Sequence, residues 1–132
     1  MDLSAFMKTY AEQIGGQYTA YDTSHSIIIV PVPGSRFQTV IGTIKTSALH
    51  NRKILGLSSR VCRYEPMVDL KGMLEQVSHL SYSRFVIADD HVQVEAVAAL
   101  DGLTEETVKE MVQEVANVAD QYEMKLTGAD VH

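Results

Sequence analysis

Apolar residues recur at three- and four-residue spacing in three segments of the chain, which is the pattern of an amphipathic helix. The first segment stops at Gly15-Gly16, a typical helix end, and its apolar positions are Leu3, Phe6, Met7, Tyr10 and Ile14. The second follows Asp69, a suitable N-cap, and carries a stripe of Leu70, Met73, Leu74, Val77 and Leu80. The third has the longest apolar face, made of Val108, Met111, Val112, Val115, Ala119, Tyr122 and Leu126. Its predicted polar face consists of Lys109, Glu110, Gln113, Glu114, Asn117 and Asp120.

The stretches between these helices are rich in β-branched residues, and several alternate between apolar and polar positions, as strands do. Before the second helix they read QYTAY, SIIIVPV, FQTVIGTIK and, with a weaker pattern, ILGLSSRVCRY. The polar TSALHNRK between the last two is predicted to be irregular. After the second helix, RFVIADDHVQVEAVAAL predicts a hairpin that turns at Asp89-Asp90-His91.

The order α-β(3 or 4)-α-β(2)-α predicts an α+β fold, an antiparallel sheet with helices packed on it. We expect one domain over residues 1–126 and a frayed tail over residues 127–132.

The run Ile27, Ile28, Ile29 and Val30 is apolar on both sides of its predicted strand, whereas HVQVEAVA has one polar side. Ile27 and Ile29 would lie on one face of the sheet, and Ile28 and Val30 on the other. If helices cover one face, the second must be covered by another part of the chain, by a second copy or by a partner segment. These four residues are therefore a candidate dimer or partner-binding surface.

Charge and composition exclude some classes of function. The formal net charge of -6 gives no electrostatic reason to bind nucleic acid or anionic lipid. No apolar run approaches the roughly 20 residues of a membrane-spanning helix. The first residues lack the basic start and apolar core of a secretory signal, and Cys62 is the single cysteine, so we expect a cytoplasmic protein.

Three features of the sequence are candidate chemical sites. In DGLTEE, Asp101–Glu106, the carboxylates could bind a cation, but Thr104 as an N-cap with Glu105 and Glu106 in the first turn of a helix explains them better. Asp89-Asp90-His91 could bind a metal, but a hairpin turn favours the same residue types. Cys62 could be a nucleophile, but a buried strand cysteine is the simpler interpretation. We predict no catalytic residue, no metal and no cofactor.

The element order and the stretch SRFVIADDHVQVEAVAALDGLTEETVKEMVQEVANVADQY, residues 83–122, resemble the YbjN family and the wider type III secretion chaperone-like fold. The shared features are an arginine-phenylalanine strand opening, an acidic turn, an alternating strand, a GLT-E motif and a long closing helix. The resemblance implies a small acidic cytoplasmic protein of bacteria, often a homodimer. Secretion members of this fold hold a partly unfolded partner segment along the sheet and helix surface, and YbjN-like members are described as sensory or stress-related regulators.

Three hypotheses follow from the sequence. The leading one is a noncatalytic protein-binding module, chaperone-like or regulatory, that dimerises and engages a partner through apolar sheet surface. The second is an enzyme or small-ligand sensor on a profilin-like or related sheet, which would have a deep pocket with convergent polar groups and shifted pKa values. The third is a structural subunit of a larger assembly.

Overall fold

One antiparallel sheet of six strands carries three helices on a single face. The computed structural model describes residues 2–22 and 24–127. The elements along the chain are α1 (Leu3–Ile14), β1 (Gln17–Ala20), β2 (His25–Val32), β3 (Arg36–Ser47), β4 (Arg52–Arg63), α2 (Leu70–Gln76), a short 3-10 helix (Val77–His79), β5 (Ser83–Ala88), β6 (His91–Ala99) and α3 (Glu105–Thr127). The strand order across the sheet is β1-β2-β3-β4-β6-β5, and every neighbouring pair is antiparallel. The predicted α+β architecture is confirmed, with four strands rather than three before α2.

The turns and caps follow from the local residue types. Gly15 ends α1 with a left-handed φ of 73°, a conformation in which a β-carbon would be strained. Asp89 and Asp90 join β5 to β6 with φ of 52° and 60°, the geometry of a two-residue hairpin turn. Asp69 caps α2, because its carboxylate accepts a hydrogen bond from the Gly72 N–H at 2.9 Å. These three sequence predictions are confirmed.

The hydrophobic core lies between the sheet and the helices α1 and α3. Alternate residues of each strand point into it, so that β2 contributes Ser26, Ile28, Val30 and Val32. The largest apolar side chains that are fully enclosed there are Met7, Ile28, Val30, Val40, Leu55, Leu57, Val61, Val92, Val94 and Met111. α3 contacts β2, β3, β4, β5 and β6, and α1 contacts β1 and β2. The two helices therefore cover one face across its whole width.

Three sequence predictions differ from the structure. The second helix is shorter than its apolar stripe predicts: α2 ends at Gln76, only Met73 of the stripe is buried, and the Leu74 side chain is 62% exposed. The segment TSALHNRK is not irregular throughout, because β3 runs to Ser47 and β4 starts at Arg52 around a tight turn. The tail predicted over residues 127–132 falls outside the described residues except for Thr127, the last residue of α3.

Asp120 is the third difference, because it lies on the buried side of α3 and not on the predicted polar face. Only 2% of the Asp120 side chain is exposed. Its carboxylate accepts two hydrogen bonds from Arg36, at 3.0 Å from Nε and 2.7 Å from Nη2. A buried carboxylate is tolerated when an arginine pairs with both of its oxygens. The prediction failed because helical spacing cannot reveal a partner 84 positions away.

Candidate functional site

The face of the sheet opposite the helices is the candidate functional surface, and we call it the open face. All three helices contact the side chains of the other face, and no helix of residues 2–22 and 24–127 lies on this one. The strand register places Ile27, Ile29 and Pro31 of β2 beside Ile41 and Phe37 of β3. Ile54 of β4 and Val97 and Ala99 of β6 form a second apolar group, because Ser58 lies opposite Ile41 and Lys45 lies opposite Ile54. The open face therefore carries one apolar patch on β2 and β3 and a smaller one on β4 and β6.

The four residues Ile27, Ile28, Ile29 and Val30 divide between the two faces as the alternation predicts. Ile28 and Val30 are fully buried beneath the helices, so they are core residues and cannot contact a partner. Ile27 and Ile29 lie half-buried on the open face. Two of the four residues, Ile27 and Ile29, therefore remain part of the candidate surface.

Neighbouring strands add the apolar residues that the sequence did not single out. Ile41 is directly opposite Ile27 across the β2–β3 pair, and Phe37 is opposite Pro31. The exposed fractions of the side chains are 38% for Ile41 and 50% for Phe37. Exposed large apolar side chains that lie together mark interaction surfaces more often than scattered ones do. The signal for them in the sequence was the alternation of FQTVIGTIK, which does not say what covers each side.

A cleft of about 590 Å³ lies where β3 and β4 separate. The last paired residues of the two strands are Ile41 and Ser58, and beyond them β3 continues beside β2 while β4 continues beside β6. Two buried side chains bridge the gap. Gln38 donates from Nε2 to the carbonyl of Arg60 at 3.1 Å, and Ser59 donates from Oγ to the carbonyl of Thr39 at 2.6 Å. These hydrogen bonds connect two strands that no longer pair through their backbones.

Seven of the eight residues that line the cleft are polar or charged. Its residues are Gln38, Thr39, Ile41, Ser58, Ser59, Arg60, Asp89 and Gln93. The convergence of polar groups is one of the features that the small-ligand hypothesis requires, and the position of the cleft was not predicted from the sequence. Gln38 and Ser59 could have indicated the cleft, because they are polar residues at core-facing positions of apolar strands.

A second groove is apolar and lies between α2 and the edge strand β5. Its volume is about 250 Å³, and it is lined by Leu70, Met73, Leu74, Phe85, Val86, Ile87 and Val92. Leu74 in the middle of α2 and Ile87 of β5 are largely exposed beside it. This groove was not predicted, because every apolar residue of the second helix was assigned to the core.

The acidic segments have the structural roles that the sequence favoured. Thr104 accepts a hydrogen bond from the Thr107 N–H at 3.2 Å, and Glu105 and Glu106 occupy the first turn of α3. Asp89 and Asp90 form the hairpin turn. Among the described residues, no group of three or more histidine, cysteine or acidic side chains has a geometry that could hold a metal ion.

Cys62 lies on β4 with 6% of its surface exposed. Burial raises the pKa of its thiol, and the nearby carboxylates of Glu65 and Glu123 raise it further. The environment of Cys62 therefore favours the neutral thiol, although Arg60 and Arg63 flank it in the sequence. An activated cysteine nucleophile needs the opposite setting.

Glu114 of α3 fixes the segment that leads into β5. Its carboxylate accepts hydrogen bonds from three successive backbone N–H groups, those of Ser81 at 2.9 Å and of Tyr82 and Ser83 at 2.8 Å. Burial acts to raise the pKa of Glu114, but these hydrogen bonds outweigh it and the pKa is lowered. The Ser83 Oγ itself is buried and has no hydrogen-bond partner among the described residues, so the three backbone N–H groups account for the lowering.

Comparison with known proteins gives no relationship for this chain: no family model matches it, and no curated protein matches it significantly. The resemblance to the YbjN family and to secretion chaperones therefore stays a prediction.

None of the helices in the described part of the chain is both long enough and apolar enough to cross a membrane.

Proposed function

We propose that this chain is a noncatalytic protein-binding module that forms a homodimer through its open face. The observation that supports the proposal is the contiguous apolar surface formed by Ile27, Ile29, Ile41 and Phe37 on a face without helices. Leaving such a surface in water is unfavourable, and packing it against a second sheet removes it from water. The charged residues of the open face, Lys45 of β3, Arg60 of β4, Glu95 of β6 and Arg84 of β5, lie around this patch and not within it, as at the rim of a protein interface.

The open face as a whole, with its polar and charged residues, is large enough for one side of a dimer interface. Four strands about 4.8 Å apart and about eight residues long, at roughly 3.3 Å per residue, cover a projected area of roughly 500 Å². Because side chains roughen the surface, its accessible area is larger than this projection. Typical specific interfaces bury about 800 Å² on each partner, so the open face alone is of the right order.

A dimer of this kind fits the resemblance to chaperone-like and regulatory proteins, several of which are homodimers. In this proposal the protein acts in the cytoplasm, and the apolar groove between α2 and β5 remains accessible for a partner segment after dimerisation. The groove is lined by side chains that point toward the helix side of the sheet, such as Met73 and Phe85, and so does not compete with the open face.

Multi-angle light scattering of the wild-type protein and two variants tests the proposal. Ile41→Lys places a charge at the centre of the open face, and Leu49→Lys places the same charge on the β3–β4 turn, where the leucine is 85% exposed. We expect a wild-type dimer at micromolar concentration, a monomeric Ile41→Lys variant with an unchanged circular dichroism spectrum, and a dimeric Leu49→Lys variant. A wild-type monomer would contradict the proposal, and so would an Ile41→Lys variant that stays dimeric.

The structural-subunit hypothesis predicts a different result in the native host. A subunit of an assembly should purify with one stoichiometric partner that does not exchange, whereas a chaperone or regulator should release its partner on dilution.

A further inference from the structure

Two opposite charges line the cleft between β3 and β4 without pairing with each other. Arg60 of β4 and Asp89 of the β5–β6 turn are both exposed at its edge. Within the described residues neither side chain takes part in an ion pair, so their charged atoms lie farther apart than ion-pair distance. A ligand with a negative and a positive end could interact with both.

The inner part of the cleft offers uncharged polar groups and one apolar side chain. Thr39 and Ser58 are half-buried and carry hydroxyl groups, and half-buried Gln93 carries an amide. The Gln93 Nε2 donates to the carbonyl of Ala88 at 3.3 Å, which leaves its Oε1 as an acceptor. Ile41, which also belongs to the open face, supplies apolar contact.

We propose that this cleft binds a free α-amino acid or a similar small zwitterion. The ligand carboxylate is held by the Arg60 guanidinium, which matches carboxylate geometry with two parallel N–H groups. The ligand ammonium is held by the Asp89 carboxylate together with the Gln93 Oε1 and the hydroxyl oxygens. A short side chain of the ligand contacts Ile41. The volume of about 590 Å³ lies within the range of small-molecule sites.

The charges at the cleft favour a zwitterion over other polar ligands. A phosphate or nucleotide would meet one arginine and would be repelled by Asp89, in a protein whose net charge is -6. A cation alone would be repelled by Arg60, and a neutral sugar would leave both charges without a partner.

Isothermal titration calorimetry with the twenty standard L-α-amino acids, each added alone, is the first test. We expect at least one of them to give saturable binding to the wild-type protein. For that amino acid, Arg60→Gln and Asp89→Asn should each weaken binding about tenfold or more, since each removes a charge-assisted contact. If none of the twenty binds, the inference is overturned.

Two matched variants serve as controls. Arg63→Gln removes the next arginine of β4, and Asp90→Asn changes the neighbouring residue of the same turn, and neither residue lines the cleft. Both variants should bind the amino acid like the wild type. A loss of binding in these controls equal to that in Arg60→Gln and Asp89→Asn would show a general charge effect and would overturn the site.

Modified ligands show whether the contacts are direct. The methyl ester of the bound amino acid lacks the carboxylate charge, and its N-acetyl derivative lacks the ammonium charge. Arg60→Gln should weaken the parent amino acid but not the ester any further, and Asp89→Asn should weaken the parent but not the N-acetyl derivative. If the loss of affinity from the protein variant and the loss from the modified ligand simply add, the assigned contacts are wrong. The inference does not rest on the proposed dimer: a monomeric wild type that binds an amino acid would contradict the dimer alone, and a dimeric wild type that binds none would contradict the cleft alone.

Discussion

Thr104 shows how an acidic stretch can be structural. The Thr104 hydroxyl accepts the Thr107 N–H at the start of α3, so it satisfies one of the backbone donors that a helix leaves free. We predict that Thr104→Ala lowers the free energy of unfolding by about 1 kcal/mol through the lost cap. Thr104→Ser keeps the acceptor and should retain most of that stability in urea unfolding. Equal losses in both variants would mean that the threonine methyl group, and not the cap, carries the effect.

Glu114 should make the stability of the protein depend on pH. Its folded-state pKa is lowered below the ordinary value of 4.5, so its stabilisation is fully present above pH 4.5 and is lost as the pH falls through the folded pKa. We predict that Glu114→Gln lowers the free energy of unfolding by about 1 kcal/mol at pH 7. The difference from the wild type should shrink as the pH falls below 4.5.

Urea unfolding of the wild type and of Glu114→Gln over the range pH 3 to 7 is the measurement. Glu12→Gln is the control, because Glu12 is exposed on α1 and its side chain makes no hydrogen bond with a described residue. A difference between wild type and Glu114→Gln that is the same at every pH would exclude the carboxylate as its cause.

Single residues show where sequence reasoning works and where it fails. Thr104, Asp69 and the Asp89-Asp90 turn could be predicted because each acts on backbone groups within three residues. Asp120 could not, because its burial depends on Arg36, which the fold brings from β3. Glu114 was placed on the polar face, and its contacts with the segment before β5 depend in the same way on the tertiary structure.

At the scale of elements, the ion pair between Arg36 and Asp120 links β3 to α3. Asp120 is almost fully buried and Arg36 is 29% exposed, so removing the carboxylate leaves a largely enclosed guanidinium. We predict that Asp120→Ala lowers the free energy of unfolding by about 3 kcal/mol. The measurement is chemical denaturation at pH 7.

An exposed ion pair of the same chain provides the comparison. Lys71 and Glu75 lie 3.4 Å apart on α2 with side chains 87% and 62% exposed. Glu75→Ala should change the free energy of unfolding by less than about 0.5 kcal/mol, because water screens such a pair. A similar cost in both variants would show that burial does not determine the strength of the Arg36–Asp120 contact.

The apolar pattern predicted some helices and strands more accurately than others. α1, α3 and the β5–β6 hairpin have strong periodicity and well-defined end signals, and their predicted positions agree with the structure. α2 was overestimated because its stripe includes Leu74, which lies beside a groove and not in the core. An apolar residue at helical spacing indicates a face, and the fold decides whether that face is covered.

At the scale of the whole molecule, the sequence predicted an antiparallel sheet and the two-sided apolar strand β2. It did not predict that all three helices would lie on one face, because periodicity gives the side of each helix but not the side of the sheet on which it packs. The cleft between β3 and β4 was also beyond reach. It arises from the point at which two strand pairings end, and the register of a sheet is a property of the assembled chain.

The position of α3 along the chain affects how the protein can be made. All six strands precede α3, and this helix supplies buried side chains that cover β3, β4 and β6, among them Val112, Val115 and Ala119. Until a ribosome has released residues 105–127, the apolar side of β3, β4 and β6 that α3 covers is open to water. Such a nascent chain is prone to aggregation and is a natural client for ribosome-associated chaperones.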